Sequence, residues 1–227
     1  MNLAPVTALL FDLDGTLIDS TRDLAEAGNY LRALNGMPPL PVETVASYIG
    51  EGIEVLVSRL LQSEDRALLG RMVPEYMLHY RNHCTDHTRL YPGVGGTLAE
   101  LSDRGYALGL VTNKPARISR RILDQLKVGA YFSSVVGGDS TEKKKPHPEP
   151  MRLAFEELGR DGAACAMVGD SWVDVRAARG VGIPALAVLG GIGSRALMEE
   201  AGPDLVLDNF ADLLKHFPPI NPAGRGV

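Results

Sequence analysis

The sequence predicts an α/β fold in which helices cover both faces of a doubly wound parallel sheet and a helical domain is inserted into the chain. Three observations predict it. Residues 6–10 form a continuous apolar run, which is typical of a strand buried on both faces. Strand and helix patterns alternate after residue 91, and only helix patterns occur between these two regions. An insertion therefore separates the first strand from the rest of its sheet.

The inserted segment contains helix patterns separated by turn signals. A helix is predicted to begin at Ser20, with Asp23 in its first turn, and to end at Gly36. Proline and glycine interrupt the pattern that follows, for example at Gly70. The remaining helices of this segment are predicted over 42–49, 53–61, 65–69 and 73–80.

After residue 91 the patterns alternate between helix and strand. Helices between successive strands favour right-handed crossovers and a parallel sheet. The sequence therefore predicts a core domain of residues 1–18 and 90–227 and an inserted helical domain of residues 19–89, with a loose tail over 221–227. The strands are predicted over 7–11, 107–111, 134–136, 164–168 and 185–189, and the helices over 94–104, from 115 onward, 150–158 and 173–179.

Composition and charge exclude several classes of protein. The chain has 227 residues, a formal net charge of -5 and no dense Lys/Arg tract, so nucleic acid is not expected as a partner. No membrane partner is expected either, because the longest uncharged stretch, 181–193, is short and is interrupted by Pro184. The N-terminal residues do not form a signal-peptide core. Two cysteines, Cys84 and Cys165, make no disulfide framework, which favours a cytoplasmic location.

Two aspartates follow the first predicted strand. Asp12 and Asp14 are two residues apart, and on an extended chain their side chains would point to the same side. Two carboxylates that share a small site repel each other unless a cation neutralises them or one of them takes a proton. This pair therefore indicates a metal, a chemical role, or both.

Further polar residues follow the other predicted strands, and the carboxyl ends of parallel strands meet at one edge of a sheet. Asp170 would join the two aspartates there, and carboxylates around one point suit a hard cation such as Mg²⁺. Thr112 and Lys145 would bind the oxygens of a phosphate group on the other side. With phosphate and metal present, Asp12 can act as a nucleophile and Asp14 as the acid and base that transfers protons.

Four motifs occur in this order along the chain: Asp12-Leu-Asp14-Gly-Thr, Thr112, Lys145 before Pro146, and Gly169-Asp170-Ser-x-x-Asp174. Together they resemble the four motifs of the haloacid dehalogenase superfamily, whose members hydrolyse their substrates through an aspartyl phosphate. The resemblance implies a Rossmann-like core and an inserted α-helical cap domain that closes over the site. It also implies Mg²⁺ as the cofactor.

The resemblance assigns roles to individual residues. Asp14 would contribute its backbone carbonyl to the metal. Asp174 would contact the metal ligands rather than the metal itself. It implies Asp12, Asp14 and Lys145 as catalytic residues, Thr112, Asn113 and Lys145 as substrate-binding residues, and Asp12, Asp14 and Asp170 as metal ligands.

Other segments resemble the phosphoglycolate phosphatase branch of this superfamily, among them Val111-Thr112-Asn113-Lys114-Pro115 and Lys145-Pro146-His147-Pro148. This resemblance implies a phosphoric monoester hydrolase that converts 2-phosphoglycolate to glycolate and phosphate, as a monomer or homodimer with a small phosphate ester as its partner. Two alternatives stay open. The same chemistry could act on a sugar phosphate or pyrophosphate, or the chain could be a signalling module that accepts a phosphoryl group.

Some residues have two interpretations from the sequence. His79, His83 and His87 recur every four residues, either as a stripe of metal ligands or as a polar surface of the insert. Thr112 could cap the helix that follows it as well as bind phosphate. A substrate carboxylate could pair with Arg81, Arg89 or Arg117, although surface arginines are common.

Overall fold

A six-stranded parallel sheet forms the centre of the protein in the computed structural model, which describes residues 6–220. The predicted tail, 221–227, lies outside the described residues. The six strands are β1 (Ala8–Phe11), β4 (Ala107–Val111), β5 (Phe132–Val136), β6 (Cys165–Gly169), β7 (Ala185–Val188) and β8 (Leu205–Leu207). Their order across the sheet is β5-β4-β1-β6-β7-β8.

Helices cover both faces of this sheet, as predicted for a doubly wound fold. Because successive side chains of β1 point to opposite faces, Leu9 and Phe11 pack in one apolar cluster, and Ala8 and Leu10 pack in a second one on the other face. These residues are fully buried. The helices that follow the insertion are α5 (Val94–Asp103), α6 (Ala116–Gln125), α7 (Glu149–Leu158), α8 (Trp172–Arg179), α9 (Arg195–Ala201) and α10 (Leu213–His216).

The register of the central strands brings three loops together. Phe11, the last residue of β1, pairs with Leu110 in β4 and with Val168 in β6. The residues that follow these three strands therefore lie at one edge of the sheet, as the strand-end argument predicted.

Four helices lie between β2 (Ile18–Asp19) and β3 (Arg89–Leu90), which pair antiparallel with each other. In this pairing Asp19 lies opposite Arg89, so the chain leaves the core and returns to it at one place. The four helices are α1 (Thr21–Leu34), α2 (Val42–Ala46), α3 (Ile53–Leu61) and α4 (Arg66–His83).

One prediction for this segment is wrong. The sequence predicted two helices over 65–69 and 73–80 with a break at Gly70, but a single helix, α4, runs through both Gly70 and Pro74. A glycine inside a helix costs about 1 kcal/mol and a proline about 3 kcal/mol relative to alanine. The fully buried rings of Tyr76 and Tyr80 anchor α4 in the core, and this tertiary packing outweighs the local cost.

The structure also corrects smaller details. The second predicted helix is shorter, Val42–Ala46 rather than 42–49. The last strand, β8, and helices α9 and α10 were not predicted, because their patterns are only three to seven residues long. Within residues 6–220, no helix has both the length and the apolar character required to cross a membrane.

The three histidines of the insert do not form one stripe. His79 stacks between Tyr30 and His83, at ring-centroid distances of 4.0 Å and 4.7 Å. His87 lies beyond the end of α4, and its backbone N–H donates to Asp23. The structure thus separates His87 from the other two.

Candidate active site

Asp12 lies at the carboxyl end of β1, where its backbone N–H donates to the carbonyl of Val168 at 3.0 Å. This bond continues the ladder between β1 and β6 by one residue and fixes the backbone from which the carboxylate projects. The Asp12 side chain is almost fully buried, and its Oδ1 lies 2.9 Å from Nζ of Lys145. Asp12, the predicted centre of the site, is therefore paired with a second predicted site residue, Lys145, which lies 133 positions further along the chain.

Lys145 is held by three oxygen atoms. Its Nζ lies 2.9 Å from Asp12, 2.6 Å from Asp174 Oδ1 and 2.6 Å from the carbonyl of Val111. Burial lowers the pKa of the lysine, but the charges of the two aspartates outweigh burial, and the net effect raises the pKa. Lys145 is thus held as an ammonium ion in the interior.

Asp12, Asp170 and Asp174 form a cluster in which one oxygen of each lies within 4.8 Å of the others. Asp170 accepts hydrogen bonds from Thr16 Oγ1 at 2.9 Å and from two backbone N–H groups, those of Ile192 and Gly193, at 2.8 Å each. All three side chains are buried. The cluster is therefore built into the fold.

Gly15 makes this arrangement possible. Its φ of +87° lies in the region that favours glycine, and a Cβ at this position would lie 2.2 Å from Oδ2 of Asp170. Any other residue would displace the Asp170 carboxylate. This close contact explains why a glycine follows the two aspartates of the first motif.

The cluster fits a divalent cation. Burial raises the pKa of Asp12 to about 6, even though the charge of Lys145 acts to lower it. Burial and the charges of Asp12 and Asp174 raise the pKa of Asp170 to about 7. The negative charge is thus poorly compensated by the protein itself, and a set of carboxylate oxygens suits a hard cation such as Mg²⁺.

Asp174 also shapes the local backbone. Its Oδ2 accepts hydrogen bonds from the backbone N–H of Ser171 at 3.1 Å and from its hydroxyl at 2.7 Å, which caps the first turn of α8. Its Oδ1 accepts from Lys145. Asp174 therefore connects α8 to the lysine that contacts Asp12.

Asp14 does not join the cluster through its side chain. Nζ of Lys114 lies 2.7 Å from each of its carboxylate oxygens, and the hydroxyl of Ser20 donates to Oδ1. The strand ends before Asp14, so the alternation of an extended chain, which placed Asp12 and Asp14 on one side, does not extend to it. Ser20 is at the N-cap position of α1 but makes no capping hydrogen bond there.

A pocket opens above Asp12 and Asp14, between the core and the insert. Thr112 is in its wall, and its Oγ1 accepts the N–H of Lys114 at 3.3 Å rather than capping α6. The insert contributes mainly apolar groups. The pocket is lined by Asp12, Asp14, Leu24, Ile49, Gly50, Gly52, Ile53, Leu56, Thr112, Asn113, Lys114 and Pro115.

The carboxamide of Asn113 is engaged by the protein. Its Nδ2 donates to the carbonyls of Gly50 and Lys145 at 2.9 Å each, and its Oδ1 accepts the N–H of Lys145 at 3.0 Å. Asn113 thereby joins a loop of the insert to the segment that carries the Lys145 ammonium. The sequence predicted that the Asn113 side chain binds substrate. In the structure its carboxamide instead binds backbone groups of Gly50 and Lys145.

The arginines suggested as partners of a substrate carboxylate lie elsewhere. Arg81 and Arg117 line a separate groove, and Arg89 lies 3.5 Å from Asp19. The sequence reasoning missed Lys114, which lines the pocket and is buried. The one available signal was its position directly after Thr112 and Asn113 at the end of β4.

Comparison with known proteins agrees with this architecture. Residues 9–188 match the family model described as haloacid dehalogenase-like hydrolase. The chain is 39% identical over 222 residues to a phosphoglycolate phosphatase of Neisseria meningitidis, covering 94% of each chain. It is 40% identical over 218 residues to that of Chromobacterium violaceum, covering 94% of this chain and 97% of the other.

A solved structure is similar over nearly the whole molecule. It is the crystal structure of a predicted phosphoglycolate phosphatase from Haemophilus somnus, with a TM-score of 0.87 and 31% identity, covering 92% of this chain and 97% of that one. The predicted fold class and the predicted enzyme class, a phosphoric monoester hydrolase, agree with these findings. The chain belongs to the haloacid dehalogenase-like hydrolase family.

Proposed function

We propose that this hydrolase is a Mg²⁺-dependent phosphatase that converts 2-phosphoglycolate to glycolate and inorganic phosphate through an aspartyl phosphate at Asp12. The observation that carries the proposal is the environment of this carboxylate. Asp12 lies in a buried acidic cluster, contacts the Lys145 ammonium and lines a pocket between the core and the insert. The names of the curated relatives supply the substrate.

The metal would be held by Asp12, Asp170 and the backbone carbonyl of Asp14, with Asp174 supporting them. When bound, Mg²⁺ offsets negative charge on the phosphate oxygens and on the cluster. The chain's own contribution is to hold the carboxylates in place through Thr16, the two backbone N–H groups on Asp170 and the cap of α8.

Asp12 is the proposed nucleophile. One of its carboxylate oxygens attacks phosphorus, the bond between phosphorus and the ester oxygen breaks, and the phosphoryl group stays on Asp12. For this step Asp14 must carry a proton, which it gives to the departing ester oxygen. Asp14 then takes a proton from the water that attacks phosphorus, so that phosphate leaves, Asp12 is restored as a carboxylate and Asp14 as the protonated acid.

Lys145 and Thr112 bind the transferred group. Because the neighbouring aspartates raise its pKa, Lys145 stays charged and offsets the negative charge that develops on the phosphoryl oxygens. The Thr112 oxygen accepts a backbone N–H, which leaves its hydroxyl proton free to donate to a phosphate oxygen. We assign Asn113 a positioning role, because its carboxamide binds both backbone groups of Lys145.

The inserted segment, 19–89, is proposed to act as a cap that covers the pocket and excludes water. Support comes from the apolar side chains of Leu24, Ile53 and Leu56 in the pocket wall and from the bond between Asn113 and Gly50. Excluding water strengthens the charge interactions at the site and protects the aspartyl phosphate from unassisted hydrolysis.

A panel of phosphate esters tests the substrate. We expect kcat/KM for 2-phosphoglycolate to exceed that for sugar phosphates and pyrophosphate at least tenfold with Mg²⁺, and we expect chelation of the metal to abolish turnover. If another ester is preferred by more than tenfold, about 1.4 kcal/mol in transition-state binding, the substrate is wrong while the chemistry stands. If no ester is hydrolysed, the proposed phosphatase activity itself is wrong.

A further inference from the structure

The pocket has a second charged feature besides the acidic cluster. Lys114 is buried, with only 5% of its side chain exposed, and it is the positively charged member of the set of pocket-lining residues in the described chain. Leu24, Ile49 and Ile53, from the insert, line the same pocket. A charged substrate group that enters this pocket would therefore meet Lys114 among apolar neighbours.

The ammonium of Lys114 makes two hydrogen bonds to the described part of the protein and has one N–H donor left over there. It donates to both oxygens of Asp14 at 2.7 Å, and it lies 4.9 Å from the centroid of the Tyr80 ring. An ammonium has three N–H donors, and the third has no hydrogen-bond acceptor among residues 6–220. Tyr80 belongs to α4, so the insert helps to hold the lysine over the pocket.

We propose that Lys114 determines substrate specificity by binding the second anionic group of the substrate, a carboxylate, while the phosphate lies at Asp12. This inference rests on the proposed phosphatase function. In 2-phosphoglycolate a single carbon joins the ester oxygen to the carboxylate, so the two anionic groups must be bound within one small pocket. A buried carboxylate needs a cationic donor, and in the part of the chain that the structure describes the Lys114 ammonium has one free N–H besides the two that it gives to Asp14.

A simpler role for Lys114 would be to hold Asp14 in place. The two roles predict different results, because Asp14 serves every substrate, whereas a carboxylate site serves only substrates that carry one. The comparison therefore uses 2-phosphoglycolate and 2-hydroxyethyl phosphate, in which a CH₂OH group replaces the carboxylate. The readout is the ratio of their kcat/KM values with Mg²⁺ present.

In the wild type we expect 2-phosphoglycolate to be favoured, and in Lys114→Met we expect the ratio to fall about 30-fold or more, mainly through KM for 2-phosphoglycolate. Lys114→Arg, which keeps the charge, should recover part of the ratio. The matched control is Ser20→Ala, which removes the other side-chain donor to Asp14. It should slow both substrates by the same factor and leave the ratio unchanged.

The inference is overturned if Lys114→Met slows both substrates equally, with a ratio within about threefold of the wild type, because the lysine would then act only through Asp14. Thermal unfolding identifies a misfolded variant, and Lys114→Gln then replaces Lys114→Met in the same comparison. Failure of the proposed function looks different. If the wild type prefers a sugar phosphate, 2-phosphoglycolate is not the substrate. If the wild type hydrolyses 2-phosphoglycolate and 2-hydroxyethyl phosphate with nearly equal kcat/KM values, the role of Lys114 is overturned separately.

Discussion

At the scale of single residues, the site is marked by an excess of buried negative charge. Asp12, Asp170 and Asp174 lie together, and the Lys145 ammonium contacts two of them. Burial raises the pKa of Asp12 to about 6 and that of Asp170 to about 7, against an ordinary value of 3.8. Without a cation, ionisation of these carboxyl groups at neutral pH therefore lowers the stability of the folded state.

The pH dependence of metal stabilisation follows from these two pKa values. Because both are raised in the folded state, their contribution to the stability of the metal-free protein is fully present below about pH 4 and is lost as the pH rises through 6 to 7. Mg²⁺, the proposed metal, would bind the ionised carboxylates and reverse this loss. We expect the Mg²⁺-induced rise in Tm, measured against a chelated sample, to be larger at pH 8 than at pH 5.

The control for this experiment is Asp170→Asn, which removes one charge of the cluster and should abolish most of the pH-dependent difference. An equal Mg²⁺-induced shift at pH 5 and pH 8 in the wild type would contradict the assignment of the cluster as the metal site.

Lys145 offers a second prediction at this scale. In Lys145→Met, Asp12 and Asp174 lose their buried partner, and we expect the free energy of unfolding to fall by about 3–5 kcal/mol and kcat by about 100-fold or more. Lys143, in the same run of lysines, is a matched control, since its side chain is 57% exposed against 2% for Lys145. Urea unfolding should show a change within about 0.5 kcal/mol for Lys143→Met. Equal effects of the two variants would contradict the account.

Sequence reasoning found most of these residues but not all of their contacts. Asp12, Lys145 and Asp170 follow strands whose carboxyl ends meet, and this argument needs only the strand order. The pairing of Asp14 with Lys114 joins residues that are 100 positions apart, and it depends on a loop geometry beyond the end of β1. Strand alternation could not predict it, because Asp14 is no longer part of the strand.

At the scale of secondary-structure elements, the loops after β4 and around Lys145 are connected through Asn113. Its carboxamide binds the N–H and the carbonyl of Lys145 and the carbonyl of Gly50 in the insert. A second contact between the insert and the core is the ion pair between Glu54 and Lys144. Asn113 is buried, whereas the side chains of Lys144 and Glu54 are 29% and 60% exposed, so the energies of the two contacts should differ.

We expect Asn113→Ala to lower the free energy of unfolding by about 1–3 kcal/mol, because it leaves buried backbone groups without partners. It should also reduce kcat/KM about tenfold or more by releasing Lys145. Glu54→Gln breaks the other contact and should cost less than about 1 kcal/mol. Chemical unfolding and steady-state kinetics of the two variants test whether Asn113→Ala has the larger effect. A larger effect of Glu54→Gln would contradict this expectation.

The helices show where local sequence rules fail. Gly70 and Pro74 are correct signals of low helix propensity, yet α4 continues through both because Tyr76 and Tyr80 are buried against the rest of the protein. The burial of these rings depends on partners distant in sequence, which a local pattern does not contain.

At the scale of the whole molecule, the chain enters and leaves the insertion at one short antiparallel pair, β2 and β3. The sequence predicted this organisation because one isolated strand precedes a long helical segment. We propose that the insertion moves as a cap, and the pocket between the two parts is where closure acts. Both 49–53 and 112–115 contribute to that pocket.

Hydrogen exchange tests the cap. Beryllium fluoride with Mg²⁺ mimics a phosphoryl group on an aspartate, and we expect it to slow amide exchange at 49–53 in the insert as well as at 112–115 in the core. The outer surface of α4 should remain unchanged and serves as the internal control. Protection limited to the core segments would show that the insertion does not cover the site.

The central claim is that Asp12 carries the phosphoryl group. Rapid quenching during turnover of 2-phosphoglycolate with Mg²⁺, followed by borohydride reduction, converts an aspartyl phosphate to homoserine, which mass spectrometry of the Asp12 peptide detects. We predict homoserine at residue 12 only when substrate is present, and neither homoserine nor turnover in Asp12→Asn. Release of phosphate with an unmodified Asp12 peptide, or with full activity in Asp12→Asn, would contradict the claim.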